Sequence, residues 1–256
     1  MLAVVLAFSL ILTVTNSYGQ KSEAPPITAK YFYKFPTAVK RVLSESVVGV
    51  RVSFQSFKQG ISEVQTKNAT GFVVGEGVVL TALHSFSDMP PVWRSQTTKV
   101  EIYDGENFFN AFMATCDPKV DLAFLSLTEL EQNGVKFSKT PVTFAGGKNK
   151  QNMPEHFYSF LFSTLGKNIF FPMEFGQYVM ETNLIGDQVL PERLGVVIGT
   201  NEAGFSGAPL IGPNGLVFGM LILRGDAYTY VTTVEQAVTF LKESIEALKK
   251  EIDIKK

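Results

Sequence analysis

The chain has 256 residues, 45% hydrophobic and 18% charged, a balance that can bury a sizeable core as one domain or as two closely packed halves. Its formal net charge is -1 with no long Lys/Arg run, so a phosphate backbone finds no electrostatic footprint, and nucleic acid is not an expected partner. Cys116 is the single cysteine, which excludes an intrachain disulfide and leaves the core to rest on burial alone.

The first residues, MLAVVLAFSLILTVTNSYGQ, run apolar from Leu2 to Val14 and then turn polar and small at Asn16, Ser17 and Gly19. As a helix the run reaches about 20 Å, short of a hydrocarbon core of about 30 Å. It reads as a cleavable export signal over residues 1–19, with the terminal amine as its only positive charge, and not as a stable membrane span. A secreted or periplasmic protein is the corresponding expectation. Residues 20–40, rich in Ala, Pro and Lys, follow as an N-terminal tether.

Short strand patterns then begin. Val48, Val50, Val52 and Phe54 share one face of a strand, and Phe72 to Leu80 reads as a hairpin about the turn Gly75-Glu76-Gly77. Further strands are expected at 99–103, 108–114, 122–127, 156–164, 177–182, 195–198, 216–223 and 227–231. So many short strands favour a sandwich or barrel over alternating strands and helices. The segment from Val135 to Met153 is the natural link between two β halves, with a cleft expected between them. From Thr233 onward, Val234, Ala237, Val238, Leu241, Ile245 and Leu248 recur at steps of three and four, which predicts an amphipathic helix packed on the β body.

Chemistry enters with GFSGAPLI, residues 204–211. Ser206 in it is either a nucleophile or the polar residue of an ordinary Gly/Pro turn. A serine nucleophile needs a base, a group to orient that base, and donors for the oxyanion. Only two histidines are present: His84 follows an apolar strand in a polar turn, whereas His156 opens an aromatic run and reads as structural. Asp121 heads the apolar strand DLAFLSL, where a buried carboxylate needs a donor such as an imidazole N–H. Asp117, before Pro118, reads as a turn residue, Cys116 beside it as structural, and Asn68-Ala69-Thr70 as a chance glycosylation sequon.

Taken together, GFVVGEGVVLTALHSF, DLAFLSL and GFSGAPLIGPNGLVFGMLI resemble, in order, the His, Asp and Ser motifs of trypsin-like serine proteases of the chymotrypsin fold. The resemblance runs from about Val47 through the terminal helix. It implies an all-β fold of two six-stranded antiparallel β-barrels with a C-terminal α-helix: a protease domain over 41–250, its barrels at about 45–135 and 150–232 and its helix at 233–250. It implies a serine endopeptidase acting on polypeptide without metal or cofactor. Ser206 would be the nucleophile, His84 the base and then acid, and Asp121 the group that fixes the imidazole. The backbone N–H groups of Gly204 and Ser206 would form the oxyanion hole. Thr200 would lie at the base of the substrate pocket, with Ile222 and Arg224 along its wall and Asp226 nearby.

The absence of disulfides and the strand from Glu45 to Val52 are most similar to the HtrA-like branch, although the chain ends after the helix with no room for a PDZ domain. Leu83 stands where the family has a small residue before the histidine, Phe205 where it has Asp or Asn before the serine, and Ala208 where it often has Gly. With no carboxylate at position 205 to receive a freed N-terminal amine, Val47 to Val52 is expected to be an uncleaved first strand. Two rival readings are a trypsin-fold binding protein with an inactive cleft and another acyl hydrolase. The second lacks the Gly-x-Ser-x-Gly elbow of α/β hydrolases.

Overall fold

The computed structural model describes residues 35–58, 61–86, 99–145, 153–162, 170–185, 188–199, 204–224, 227–240 and 242–243. The expected export signal and most of the tether lie outside them.

The described chain opens on helix α1, Thr37–Ser46, whose Val39, Val42 and Leu43 fall at helical spacing on one buried face. Pro36 precedes it, and its carbonyl accepts the Lys40 N–H at 3.1 Å. The last residues assigned to the tether by sequence therefore begin a helix. It ends where the β-branched run VVGVRV takes over, with Val47 already extended at φ -86° and ψ 139°.

Six strands close the first barrel: β1 Val47–Lys58, β2 Ile61–Gly75, β3 Val78–Ala82, β4 Lys99–Tyr103, β5 Phe108–Asp117 and β6 Leu122–Leu127. Their order around the barrel is β1-β2-β3-β6-β5-β4, and β4 returns to pair with β1. The predicted hairpin forms between β2 and β3, with Gly77 at φ 64°, a conformation that costs glycine little. Alternation sends Val48, Val50, Val52 and Phe54 inward, where they meet Val79, Ile102, Phe109 and Leu125. Outside, Glu101 is buried beneath Arg51 and Lys99, paired to them at 2.7 and 2.8 Å, while the Arg51 guanidinium lies 3.7 Å over the Phe108 ring.

A small hairpin, β7 Glu131–Gln132 and β8 Val135–Lys136, follows. The second half is a curled antiparallel sheet of seven strands, one more than the six expected. They are β9 Phe157–Phe162, β10 Phe170–Phe175, β11 Tyr178–Ile185, β12 Gln188–Ile198, β13 Pro209–Ile211, β14 Val217–Arg224 and β15 Tyr228–Thr233, in the order β10-β9-β13-β14-β15-β12-β11. Pro172, which lacks an N–H for a ladder, sits in β10 at the sheet's edge, where that loss is tolerated. A helix, α2, begins directly after β15 and is described over 234–240. The architecture is thus the all-β two-barrel fold that the motifs imply.

One apolar cluster fills the first barrel and a second, with Phe157, Phe175, Phe205 and Leu221, fills the curled sheet. The third lies between the two halves. Phe72, Leu80 and Leu122 from the first barrel meet Phe160, Ile211 and Met220 from the second, and Val39 and Leu43 of α1 close it. The segment 140–145 is a strap across this seam. Its Thr140 and Val142 N–H groups donate to Glu45 and Val73 at 2.7 and 2.9 Å, and Ala145 N–H donates to Val217 at 2.8 Å.

Because the seam is continuous apolar core, Phe72→Ala is expected to cost about 3–5 kcal/mol. It should lower the denaturant midpoint of both halves together, so far- and near-ultraviolet circular dichroism are expected to report one coincident transition.

Candidate active site

His84 is presented by a single 3₁₀ turn, Leu83–Phe86, at the end of β3. Asp121 is presented by the turn between β5 and β6, at φ 56°, the left-handed region that Asp tolerates better than most residues. Strain of this kind is retained where neighbours fix the conformation, and three hydrogen bonds do so here. The Asp121 carbonyl accepts the Leu83 N–H at 3.0 Å, Oδ1 accepts the His84 N–H at 2.7 Å, and Oδ2 lies 2.5 Å from His84 Nδ1. The carboxylate is thus committed through both oxygens to one histidine, and it is buried while the imidazole is 22% exposed.

Burial works to lower the His84 pKa, but the Asp121 charge and hydrogen bond outweigh it, with Lys67 opposing them, so the imidazole stands above its ordinary 6.5. A neighbouring carboxylate at Nδ1 favours the tautomer with its proton there and leaves Nε2 as the basic nitrogen.

Ser206 lies in a turn at the head of β13, flanked by Gly204 at φ 98° and Gly207 at φ 87°. The turn is anchored below by Phe205, which has no exposed surface and packs in the core of the curled sheet. On the downstream side, Gly207 N–H donates to Leu221 and Ala208 N–H to Phe205, each at 2.8 Å. From the opposite barrel Thr70 N–H donates to the Ser206 carbonyl at 3.2 Å, and Thr70 Oγ1 donates to the Gly204 carbonyl at 3.0 Å. Thr81 Oγ1 in turn donates to the Thr70 carbonyl at 2.8 Å. A Cβ on Gly207 would collide with the Thr70 carbonyl and the Thr81 hydroxyl and would lie 3.0 Å from Ala82 N, two residues before His84. The serine turn and the histidine turn therefore meet at the same end of the seam.

Among the other residues singled out from sequence, Ile222 is buried in the seam core and Arg224 ends β14, while Thr200 and Asp226 lie outside the described residues. His156 is on the surface, Nδ1 3.5 Å from Glu174 Oε1. Asp117 caps its own turn by accepting the Lys119 N–H at 2.9 Å, and Cys116 is exposed on β5. Leu83 packs against the first barrel's core. Sequence reading missed Thr70, Thr81 and Thr232, the last of which donates to the Val120 carbonyl at 2.5 Å, one residue before Asp121. Their only signal was a hydroxyl interrupting an apolar strand, as in Thr70-Gly71-Phe72-Val73 and Leu80-Thr81-Ala82. Among the described residues, no three His, Cys, Asp or Glu side chains gather to hold a metal ion, and no helix is long and apolar enough to cross a membrane.

No family model matches the chain, and no curated protein matches it. Solved structures do. The active form of the Rv3671c protease from M. tuberculosis is 22% identical with a TM-score of 0.58, covering 84% of this chain and 86% of that one. An inactive form of the same protease is 22% identical with a TM-score of 0.57, covering 86% of this chain and 97% of that one. At this identity the likeness is one of fold, and the fold is that of a trypsin-like protease.

The raised imidazole pKa has a definite sign. Its stabilisation of the folded state is fully present below about pH 6.5, the unfolded value, and is lost as pH rises through the folded value. The His84 ring resonances are expected to titrate above 6.5 by NMR in the wild type and at lower pH in Asp121→Asn, which should also flatten the pH dependence of stability over that window.

Proposed function

We propose that this protein is an exported serine endopeptidase that cleaves polypeptide through an acyl-enzyme on Ser206. The observation that carries the proposal is the Asp121–His84 pair, bonded through both carboxylate oxygens and placed where the Ser206 turn crosses the seam. Ser206 Oγ attacks the scissile carbonyl as His84 Nε2 takes its proton. The protonated imidazole, steadied by Asp121, then returns that proton to the leaving amine, and water repeats the cycle to release the acid. The N–H groups of Gly204 and Ser206 stabilise the oxyanion. Thr200, Arg224 and Asp226 are proposed to shape the substrate pocket, with Ile222, buried in the seam core, backing its wall. Export rests on the first 19 residues, and the HtrA-like assignment on the single cysteine and the Glu45–Val52 sequence.

The uncut chain is proposed to be the working form. Val47 has no exposed surface and passes without a break from α1 into β1, and the position before the serine holds a fully buried phenylalanine. An ammonium driven toward Phe205 would be buried in apolar core, at an effective cost of several kcal/mol.

Mature protein should label at Ser206 with a fluorophosphonate and cleave an unfolded protein substrate. Ser206→Ala is expected to lower turnover by roughly six orders of magnitude. Asp121→Asn should lower it by about 10⁴ through the wrong tautomer, with the fold retained. The acid limb of kcat/KM should fall above pH 6.5, because the neutral imidazole is required and its pKa is raised. A wild type that neither labels nor cleaves, yet binds a polypeptide, would establish the inactive binding-protein reading instead.

A further inference from the structure

We infer that Thr70 is a positioning residue, the lock that holds the oxyanion turn from the opposite barrel. This rests on the serine-protease reading above. The turn from Gly204 to Gly207 carries glycines at both ends in left-handed conformations, so its peptide planes have little intrinsic preference. Two of its carbonyls, those of Gly204 and Ser206, are both held by one residue, through the Thr70 hydroxyl at 3.0 Å and the Thr70 N–H at 3.2 Å. Holding those carbonyls fixes the rotation about the Cα–C bonds of Gly204 and Ser206, and with it the peptide planes Gly204–Phe205 and Ser206–Gly207, which lie on either side of the Ser206 N–H.

Thr70 is a rigid support. It has no exposed surface, is paired with Gly49 within the barrel, and gives its own carbonyl to the Thr81 hydroxyl at 2.8 Å. Thr81 lies three residues before His84 on the same strand and turn, so the serine's backbone and the histidine's are referred to one point. Phe205 supplies no charge for an ion pair, and its buried ring holds the turn only from the barrel interior. Gly207 N–H ties the turn to Leu221 of its own sheet, and the hold from the opposite barrel comes from Thr70. A hydroxyl at this place is chemically specific: valine has the same shape but leaves the Gly204 carbonyl without its donor.

The test compares Thr70→Val, Thr70→Ser and wild type. The readouts are steady-state cleavage of a peptide ester, affinity for a peptidyl aldehyde that adds to the serine, and amide hydrogen exchange of the segment 204–208. Thr70→Val is expected to lower kcat by about 10- to 100-fold, the range produced by a small misplacement of reacting groups. KM should stay within about twofold, aldehyde affinity should fall with kcat, and the acid limb of the pH profile should not move. Exchange at 204–208 should rise by about tenfold, and Thr70→Ser should restore every readout. The inference is overturned if exchange and kcat in Thr70→Val match wild type, if the loss is confined to KM, or if Thr70→Ser is as impaired as Thr70→Val. Should Thr70→Val not fold, Thr70→Ala takes its place against Thr70→Ser. A wild type inert to fluorophosphonate defeats the proposed function alone. Exchange at 204–208 then decides the matter: a rise in Thr70→Val upholds the lock and no change overturns it.

Discussion

Two curved sheets that share no strand must be held in one relative position to within a fraction of an ångström if groups from both are to act together. In this protein the seam between them does that work. Its apolar part, with Phe72 and Leu122 facing Phe160 and Met220, supplies attraction without direction. Its polar part supplies direction. Thr70 reaches across to Gly204 and Ser206, and Thr232 reaches back to Val120. Each of these threonines is buried, each donates to a main-chain carbonyl, and each meets the chain within two residues of Asp121 or Ser206. Hydrogen bonds in such surroundings are hard to exchange for water, so they fix register more firmly than the same bonds would at the surface.

Much of this was legible in the sequence where the physics is local. Val48, Val50, Val52 and Phe54 announced β1 by alternation, and Gly77 announced the β2–β3 turn. His84 stood out because it was one of only two histidines and the only one at the end of an apolar strand. Asp121 stood out because a carboxylate at the head of Leu-Ala-Phe-Leu needs a donor. Other features were not legible because nothing near them in sequence requires them. Helix α1 is ten residues long and draws its stability from the seam more than from its own composition. Strand β10 is interrupted by Pro172, which argues against a strand until the sheet order shows it at an edge. Thr70 and its partner Gly204 are 134 residues apart, and no spacing rule connects them. Asn68-Ala69-Thr70 invited reading as a sequon, when the consequential atom was the threonine hydroxyl pointing inward.

Apolar and polar residues divide the labour around the serine. Phe205 secures the turn by burial, which involves no titrating group, whereas the Asp121–His84 pair is electrostatic and responds to pH. Titration of the imidazole therefore does not touch the apolar anchor beneath Ser206.

The strap at 140–145 carries a consequence for assembly. It is bonded on one side to Glu45 and Val73 and on the other to Val217, so it belongs to both halves at once. A polypeptide severed within it would lose covalent continuity but keep the apolar face that each half offers the other. The two pieces, made separately, have the means to find each other and rebuild the seam, so the molecule's integrity resides in complementary surfaces more than in the unbroken thread of its backbone.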